Sequence, residues 1–258
     1  GLGFAWGMTT NGTLIDRHTA IELMAARMGS ITVSIDGCEE SHDWLRNAQG
    51  SYRRAVEGVR NLVSLGMGVQ VTTVVHKGNI GELEHVYADM ASLGVASWRL
   101  VNVESIGRAK AMRDLWLTQR DFDRLLTFVR EKRFDPDVSM DVRFGCSHYL
   151  GAEYEREVRD NYFVCGSGIY VGSVLCNGDI YSCLDIERRP ELVQGNIRTD
   201  RFSDVWRNRF EGFRADRAGR CGLCAECSEK RYCAGDSAHT WDYDRNEPTI
   251  CLRKGFGS

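Results

Sequence analysis

The chain has 258 residues, of which 43% are hydrophobic and 27% are charged, which is enough apolar material for one large domain or two smaller ones. Its 33 Lys and Arg residues nearly balance 36 Asp and Glu residues, for a formal net charge of -3. This balance excludes both the basic excess typical of nucleic-acid binding and a strongly acidic tail. The sequence shows neither an apolar run of about 18 residues nor a secretion signal, so we expect a cytoplasmic protein with no membrane partner.

The first part of the chain alternates short apolar runs with helical patterns. The runs at residues 8–10, 31–35, 69–75 and 98–103 predict strands. Helical spacing follows Ser51 as an N-cap and ends at Gly66, recurs before Gly94, and appears again after Thr118 with Asp121 three residues on. This order predicts parallel βα units in a sheet or barrel, with the site in the loops at the carboxyl ends of the strands.

The pattern changes between residues 145 and 160. Asn177-Gly178 lies between two short apolar runs and predicts a hairpin, and Ser203 opens a short amphipathic helix. After Cys221 the apolar residues are too sparse to form a core, so this segment needs a metal to hold it. We therefore predict two domains, residues 1–145 and 146–258.

Ten cysteines without an export signal favour metal or redox chemistry over a disulfide framework. Cys224, Cys227 and Cys233 follow one another at C-x2-C-x5-C spacing, which can direct several sulfurs to one centre. Cys165 and Cys183 flank the predicted hairpin. So many clustered thiolates exceed a single four-coordinate site, which predicts two metal centres. We expect Cys38 and Cys146, which stand apart, to be small buried hydrophobes.

Zinc is the main alternative to iron and sulfide. Cys221, Cys224, Cys227 and Cys233 alone could form one tetrahedral zinc site. That interpretation leaves the hairpin cysteines, including Cys176, without a role.

The complete cysteine pattern is similar to that of a known family. Cys-x12-Gly-x4-Cys, then Cys-x2-Cys-x5-Cys and a final Cys251, resembles the SPASM domain, the C-terminal module of radical SAM enzymes that carries auxiliary iron–sulfur clusters. Upstream, four segments resemble strands three to six of a radical SAM core: 10–14, 33–37, 71–75 and 98–103. The resemblance implies an α/β fold, a partial (β/α) barrel followed by an irregular, cysteine-rich SPASM domain.

The resemblance also implies an activity. Peptide- and protein-modifying members cleave SAM reductively, and the 5'-deoxyadenosyl radical abstracts a substrate hydrogen. Auxiliary clusters bind substrate or accept an electron. The implied cofactors are two auxiliary 4Fe-4S clusters and S-adenosyl-L-methionine. The implied partners are a peptide or protein substrate and a reductant such as flavodoxin or ferredoxin.

Site residues follow from the matched motifs. Asn11, Ser34, Asp36 and Arg46 are expected to border SAM, and Asp185 is the candidate catalytic carboxylate. The candidate metal ligands are the C-terminal cysteines and one carboxylate: Cys165, Cys176, Cys183, Cys221, Cys224, Cys227, Cys233, Asp236 and Cys251.

The fourth ligand of one cluster departs from the family pattern. Ser237 stands where the family has a fourth cysteine, beside Asp236. Either Asp236 supplies a carboxylate ligand, or Cys176 or Cys221 completes an all-thiolate site.

Two further motifs of the family are missing. The sequence contains neither Cys-x3-Cys-x2-Cys, which binds the catalytic cluster, nor Gly-Gly-Glu-Pro, which meets SAM. We expect a chain truncated before the third strand and inactive alone; a degenerate homologue is the alternative. The competing function is a non-catalytic iron–sulfur or zinc module that recognises a peptide for a partner enzyme.

Overall fold

A computed structural model describes residues 3–145 and 147–251. The chain forms two compact units. The first contains the residues up to Val103, Asp114–Gly145 and Glu157–Asp160; the second contains Glu104–Arg113, the residues from 147 to Arg156, and the chain from Asn161 onward. The chain changes unit after Gly145, and two short segments, Glu104–Arg113 and Glu157–Asp160, belong to the unit that the other part of the chain mainly forms. The predicted division into residues 1–145 and 146–258 stays a prediction.

The first unit is built on a five-stranded parallel sheet whose strands are adjacent in chain order. The strands are β1 (Gly7–Thr10), β2 (Ser30–Ser34), β3 (Val69–Val75), β4 (Ser97–Asn102) and β5 (Asp141–Phe144). The helices are α1 (Arg17–Ala25), α2 (Glu39–Arg46), α3 (Ser51–Ser64), α4 (Leu83–Ser92) and α5 (Gln119–Arg133). The predicted α/β fold with parallel βα units is confirmed.

Burial alternates along the strands of this sheet. In β3 every second residue, from Val69 to Val75, is buried, and the residues between them are half-exposed. Successive side chains of a strand point to opposite faces, so one face of the sheet is packed into the core and the other is more open. The buried face includes Trp98, whose indole N–H donates to the Thr73 hydroxyl at 2.8 Å.

The predicted helix starts were right at one position and wrong at another. Thr118 caps α5 in a full capping box with Asp121, as expected. Ser51 is not an N-cap: it is the first residue of α3, and Gly50 precedes it in the left-handed region at φ 73°. The Asp43 carboxylate takes over the capping role, because it accepts from the amides of Gly50 (2.5 Å) and Tyr52 (2.8 Å) and from the Ser51 hydroxyl (2.8 Å).

The other α-helices and strands are short, and apart from Glu157 and Val158 their residues belong to the second unit. They are α6 (Ala152–Val158), β6 (Ser173–Val174), β7 (Asp179–Tyr181), β8 (Gly195–Asn196), α7 (Phe202–Asn208), α8 (Glu211–Arg214), α9 (Lys230–Cys233), β9 (Trp241–Asp242) and β10 (Glu247–Pro248). The predicted hairpin is present: β6 pairs with β7 in antiparallel fashion, Val174 opposite Ile180. Ile180, Val205, Phe210 and Phe213 belong to a small apolar core under this sheet.

No helix in the described ranges is both long enough and apolar enough to cross a membrane.

The close packing of α3 on the loop after β1 gives a stability prediction. A Cβ at Gly58 would lie 2.5 Å from the Gly12 carbonyl oxygen and 3.2 Å from the Ile15 Cβ. Gly58→Ala should therefore lower the free energy of unfolding by about 1–3 kcal/mol, although Ala is normally the better helix former. Urea unfolding followed by circular dichroism measures this change.

Gly81→Ala is the matched control, because a Cβ at Gly81 would meet no atom within 4 Å. This variant should be as stable as the parent chain or slightly more so. Equal stability of the two variants would contradict the proposed close contact.

Candidate functional site

The carboxyl ends of β2 and β3 are joined by a buried carboxylate. Asp36 is 0% exposed. One oxygen accepts the Val74 amide at 2.9 Å, and the other accepts the Arg46 Nε at 2.7 Å and Nη2 at 2.5 Å. The Asp36 side chain thus accepts a hydrogen bond from the backbone of β3, as a backbone carbonyl of a neighbouring strand would. It also fixes Arg46, whose side chain is 34% exposed.

A buried asparagine completes the same turn. Asn79 donates its side-chain amide to the carbonyls of Asp36 and Val74, each at 2.9 Å, and accepts the His76 amide at 2.8 Å. The sequence analysis did not single out Asn79. Its position, a polar residue four places after a strand, was the available signal, but nothing local showed that both turns would depend on it.

Two buried histidines flank Asp36. His42 accepts the Asp36 amide at Nδ1 (3.0 Å), and His76 accepts the Gly78 amide at Nδ1 (3.0 Å). Burial lowers the pKa of both imidazoles, and the nearby Asp36 charge only partly opposes this effect. Both side chains are therefore neutral near pH 7.

The four predicted SAM-bordering residues lie at the carboxyl ends of the adjacent strands β1 and β2 or in α2. Asp36 and Arg46 form an ion pair, and Ser34 is the last residue of β2. Asn11 is exposed and accepts the Thr13 amide (3.1 Å) and hydroxyl (3.0 Å), so it also stabilises a local turn. Their role toward SAM stays a prediction.

In the second unit, Cys165 and Cys183 lie at the edge of the small apolar core that includes Ile180, Phe210 and Phe213. Both half-buried thiols pack against that core, and the buried Ser167 hydroxyl donates to Ser182 at 2.7 Å, which ties their two segments together. The Ala238 amide donates to the Cys165 sulfur at 3.3 Å. Ser237, which stands where the family has a cysteine, is the residue before Ala238 and therefore lies one residue from this contact with Cys165.

A second group of thiols surrounds Cys224. Burial, a hydrogen bond with the thiol of Cys221, and the charges of Cys221, Cys233 and Cys251 together raise the pKa of Cys224 to about 12. Cys221 is buried, whereas Cys176 is exposed in the hairpin turn. The structure therefore groups Cys221 with Cys224, Cys233 and Cys251. Within residues 3–145 and 147–251, no three Cys, His, Asp or Glu side chains converge at single-ion distances.

Asp236, a candidate iron ligand, makes other bonds. One oxygen accepts the Tyr149 amide and the other receives His148 Nδ1, both at 2.8 Å, while His148 Nε2 lies 2.8 Å from Glu104. Burial alone would lower the pKa of His148, but Glu104 and Asp236 raise it to about 10. Since Asp236 already neutralises a buried imidazolium, these contacts favour the thiolate alternative. The Ser237 hydroxyl donates to the Ser147 carbonyl.

Two segments of the chain, which contain most of the residues described above, match models of known domains. Residues 2–90 match the family model of the radical SAM superfamily, and residues 165–228 match SPASM, an iron–sulfur cluster-binding domain. The chain carries a radical SAM domain and a SPASM domain. The recognition of these two domains from sequence motifs is confirmed.

Curated relatives of this chain include heme synthases and maturases, which are enzymes. AdoMet-dependent heme synthase of Oleidesulfovibrio alaskensis is 27% identical over 222 residues, which is 80% of this chain and 56% of the relative. Mycofactocin maturase MftC of Mycobacterium ulcerans is 27% identical over 219 residues, 78% of this chain and 53% of the relative. The chain thus spans about half the length of these two relatives.

A solved structure shares the fold. Streptococcus suis SuiB, bound to its precursor peptide SuiA, superposes with a TM-score of 0.68 at 16% identity, over 89% of this chain and 54% of SuiB. At this identity the likeness establishes the fold of the radical SAM and SPASM domains and nothing more.

The sequence analysis also singled out Asp185, Cys38 and Cys146. Asp185 is exposed in the SPASM domain, and the Cys183 thiol lies 3.9 Å from its carboxylate, so its catalytic role stays a prediction. Cys38 is half-buried before α2, and burial together with Glu82 raises the pKa of its thiol to about 11. Cys146 lies outside the described residues.

The two buried histidines of the radical SAM domain predict a pH dependence of stability. The pKa of His42 and of His76 is lower in the folded chain than in the unfolded chain, where it is about 6.5. Their contribution is therefore complete above about pH 6.5 and is lost as the pH falls through that value, because only the unfolded chain takes up the protons. Thermal unfolding between about pH 5 and 8 should show this decline.

Asparagine can accept the same amide hydrogen bonds without titrating. His42→Asn and His76→Asn should each flatten the acid side of the profile. His18→Asn and His85→Asn are matched controls, because these side chains are 80% and 70% exposed and should leave the profile unchanged. A profile altered equally by all four substitutions would be evidence against the assignment.

Proposed function

We propose that this chain is part of a radical SAM/SPASM enzyme that modifies a peptide or protein side chain. The observation that carries the proposal is the pairing of a radical SAM domain with a cysteine-rich domain whose thiols fall into two groups. Mycofactocin maturase and the SuiB complex with a precursor peptide support a peptide substrate.

The thiols fit iron–sulfur clusters by their chemistry. Thiolate is a soft ligand that suits iron–sulfur clusters, and binding deprotonates a thiol even where burial raises its pKa. Cys224, Cys233 and Cys251, joined by Cys227 or Cys221, would hold one cluster. Cys165 and Cys183 would hold the other, and Cys176, Cys221 or Asp236 remain the candidates for its missing ligands.

When bound, the clusters and SAM would supply electrons and hydrogen abstraction by a 5'-deoxyadenosyl radical. The protein's own part is positioning. Asp36 fixes the Arg46 guanidinium at the strand ends. In this proposal, Asn11, Ser34, Asp36 and Arg46 border SAM. Asp185, next to Cys183, is the proposed acceptor of a substrate proton.

The reductant is the remaining partner. We propose a small electron carrier such as flavodoxin or ferredoxin, in the cytoplasm, on the basis of the cluster chemistry. Neither nucleic acid nor membrane enters this proposal.

An iron porphyrin is a second candidate substrate. The relatives named AdoMet-dependent heme synthase are as similar to this chain as the maturases are. Binding of a porphyrin and of a peptide to the same chain can be compared directly by absorbance and by calorimetry, and porphyrin binding alone would favour this second candidate.

Metal analysis tests the cluster assignment. Anaerobic reconstitution should give iron and sulfide in similar amounts, on the order of four to eight iron per chain, with broad absorbance near 400 nm. Because Cys221 is buried beside Cys224 and Cys176 is exposed, Cys221→Ser should lower the iron content while Cys176→Ser should not. Asp236→Asn should retain iron, since Asp236 is bonded to His148.

Other outcomes are equally informative. Stoichiometric zinc with negligible sulfide would disprove the cluster proposal and favour a zinc-binding recognition module. If Asp236→Asn lowers the iron content and Cys221→Ser does not, the missing ligand is the Asp236 carboxylate.

The absence of Cys-x3-Cys-x2-Cys from the 258 residues predicts that this chain alone does not cleave SAM. Reconstituted protein with dithionite and SAM should form no 5'-deoxyadenosine above a no-protein control, as measured by chromatography. Formation of 5'-deoxyadenosine would show that another cluster in the chain serves this role.

A further inference from the structure

The open face of the parallel sheet carries a row of polar side chains. Ser34, Thr72, Arg99 and Arg143 are direct partners across β2, β3, β4 and β5. All four are half-exposed, while their neighbours along each strand are buried on the other face. In-register residues of adjacent strands lie about 4.8 Å apart and point the same way, so these four side chains form one continuous row.

The adjacent row on this face is also polar. Thr32, Gln70, Ser97 and Asp141 are paired in register, and the Gln70 side-chain amide donates to the Thr32 hydroxyl at 3.0 Å. Parallel sheets are usually covered by apolar side chains on both faces. A face with two polar rows is therefore suited to a polar ligand.

Arg143 has its charge balanced by two acidic residues. It pairs with Asp141 and, at 3.2 Å, with Asp160, and Arg133 pairs with the same two carboxylates. Two arginines and two aspartates make this group neutral. Both terminal nitrogens of Arg143 are thus held by carboxylates of the fold itself.

Arg99 differs from Arg143 in this respect. Its Nε donates to the Thr72 hydroxyl at 3.2 Å, and in the part of the chain that the structure describes no carboxylate lies within 4 Å of its guanidinium. The like charge of Arg143 stands directly opposite it across β4 and β5. Since Asp141 and Asp160 already balance the charge of Arg143, the charge that is left for an anion to balance in this row is that of Arg99.

We propose that Arg99 binds a carboxylate group of a ligand on the open face of the sheet. Thr72 orients the guanidinium through Nε, which leaves the two terminal nitrogens free to bind both oxygens of a carboxylate. The carboxylate belongs either to SAM or to the substrate. The proposal deepens the proposed function and rests on it only for the identity of that ligand.

Chemical labelling of arginine tests this directly and requires no cluster. Phenylglyoxal modifies accessible guanidinium groups, and digestion followed by mass spectrometry gives the rate for each arginine in the intact chain. Succinate should slow the labelling of Arg99 roughly tenfold, as expected for a charge-assisted bidentate contact. Succinamide, or chloride at equal ionic strength, should have little effect. Arg143 serves as the internal control, because succinate should not change its labelling.

Two further ligands distinguish the sources of the carboxylate. Protection by SAM but not by decarboxylated SAM would assign Arg99 to the SAM carboxylate. Protection by succinate without protection by SAM would assign it to the substrate. Equal effects of succinate, succinamide and chloride on Arg99 would overturn the proposal, and would leave the iron and sulfide measurements unaffected.

A thermal-shift experiment checks the result with variants. Succinate should raise the melting temperature of the parent chain and of Arg143→Gln, each compared with its own ligand-free value, and should not raise that of Arg99→Gln. Arg99→Lys should recover only part of the shift, because an ammonium cannot bind both oxygens in the same planar geometry. An undiminished shift in Arg99→Gln would contradict the proposal.

Discussion

The candidate SAM site depends on the contacts of one buried group, the Asp36 carboxylate. Removing a carboxylate from water costs several kcal/mol unless charge and hydrogen bonds compensate it. Here Val74 and Arg46 provide that compensation, so the ends of β2 and β3 and the end of α2 are fixed relative to one another. Asn79 and His42 bind the backbone of the same residue. Loss of the carboxylate would therefore release both strand ends and the arginine together.

The second unit is organised on a different physical basis. Its apolar core is small, and much of the cysteine-rich segment is held by short turns and a buried polar network. The His148 imidazolium between Glu104 and Asp236 is the clearest example, because each member needs the other two to remain charged in the interior. Thiols that gain cluster bonds would add to this stability, since metal binding to such a segment is also folding free energy.

The sequence predicted the elements whose signals are local. Strands β1 to β4 came from apolar runs, and the Thr118 capping box marked the start of α5. Strand β5 was missed because its four residues alternate charged and apolar side chains and only the neighbouring β4 makes them a strand. The competing roles of Asp236 and the ligand role of Arg99 could not be predicted either. Each depends on partners far away in the chain, namely His148 and the cross-strand row.

The arginines of the first unit differ in how their charges are compensated, and this difference indicates different roles. Arg143 and Arg133 share two aspartates and stabilise the end of the sheet. Arg46 is neutralised by Asp36 on one side while its outer part is open to solvent, so it can bind a ligand without leaving its partner. Among the described residues, Arg99 binds the Thr72 hydroxyl and has no carboxylate within 4 Å. A fold gains little stability from a half-buried guanidinium in that state, because the desolvation cost is not repaid by an opposite charge. Its presence in the middle of a strand is best explained by an anion that arrives with the ligand.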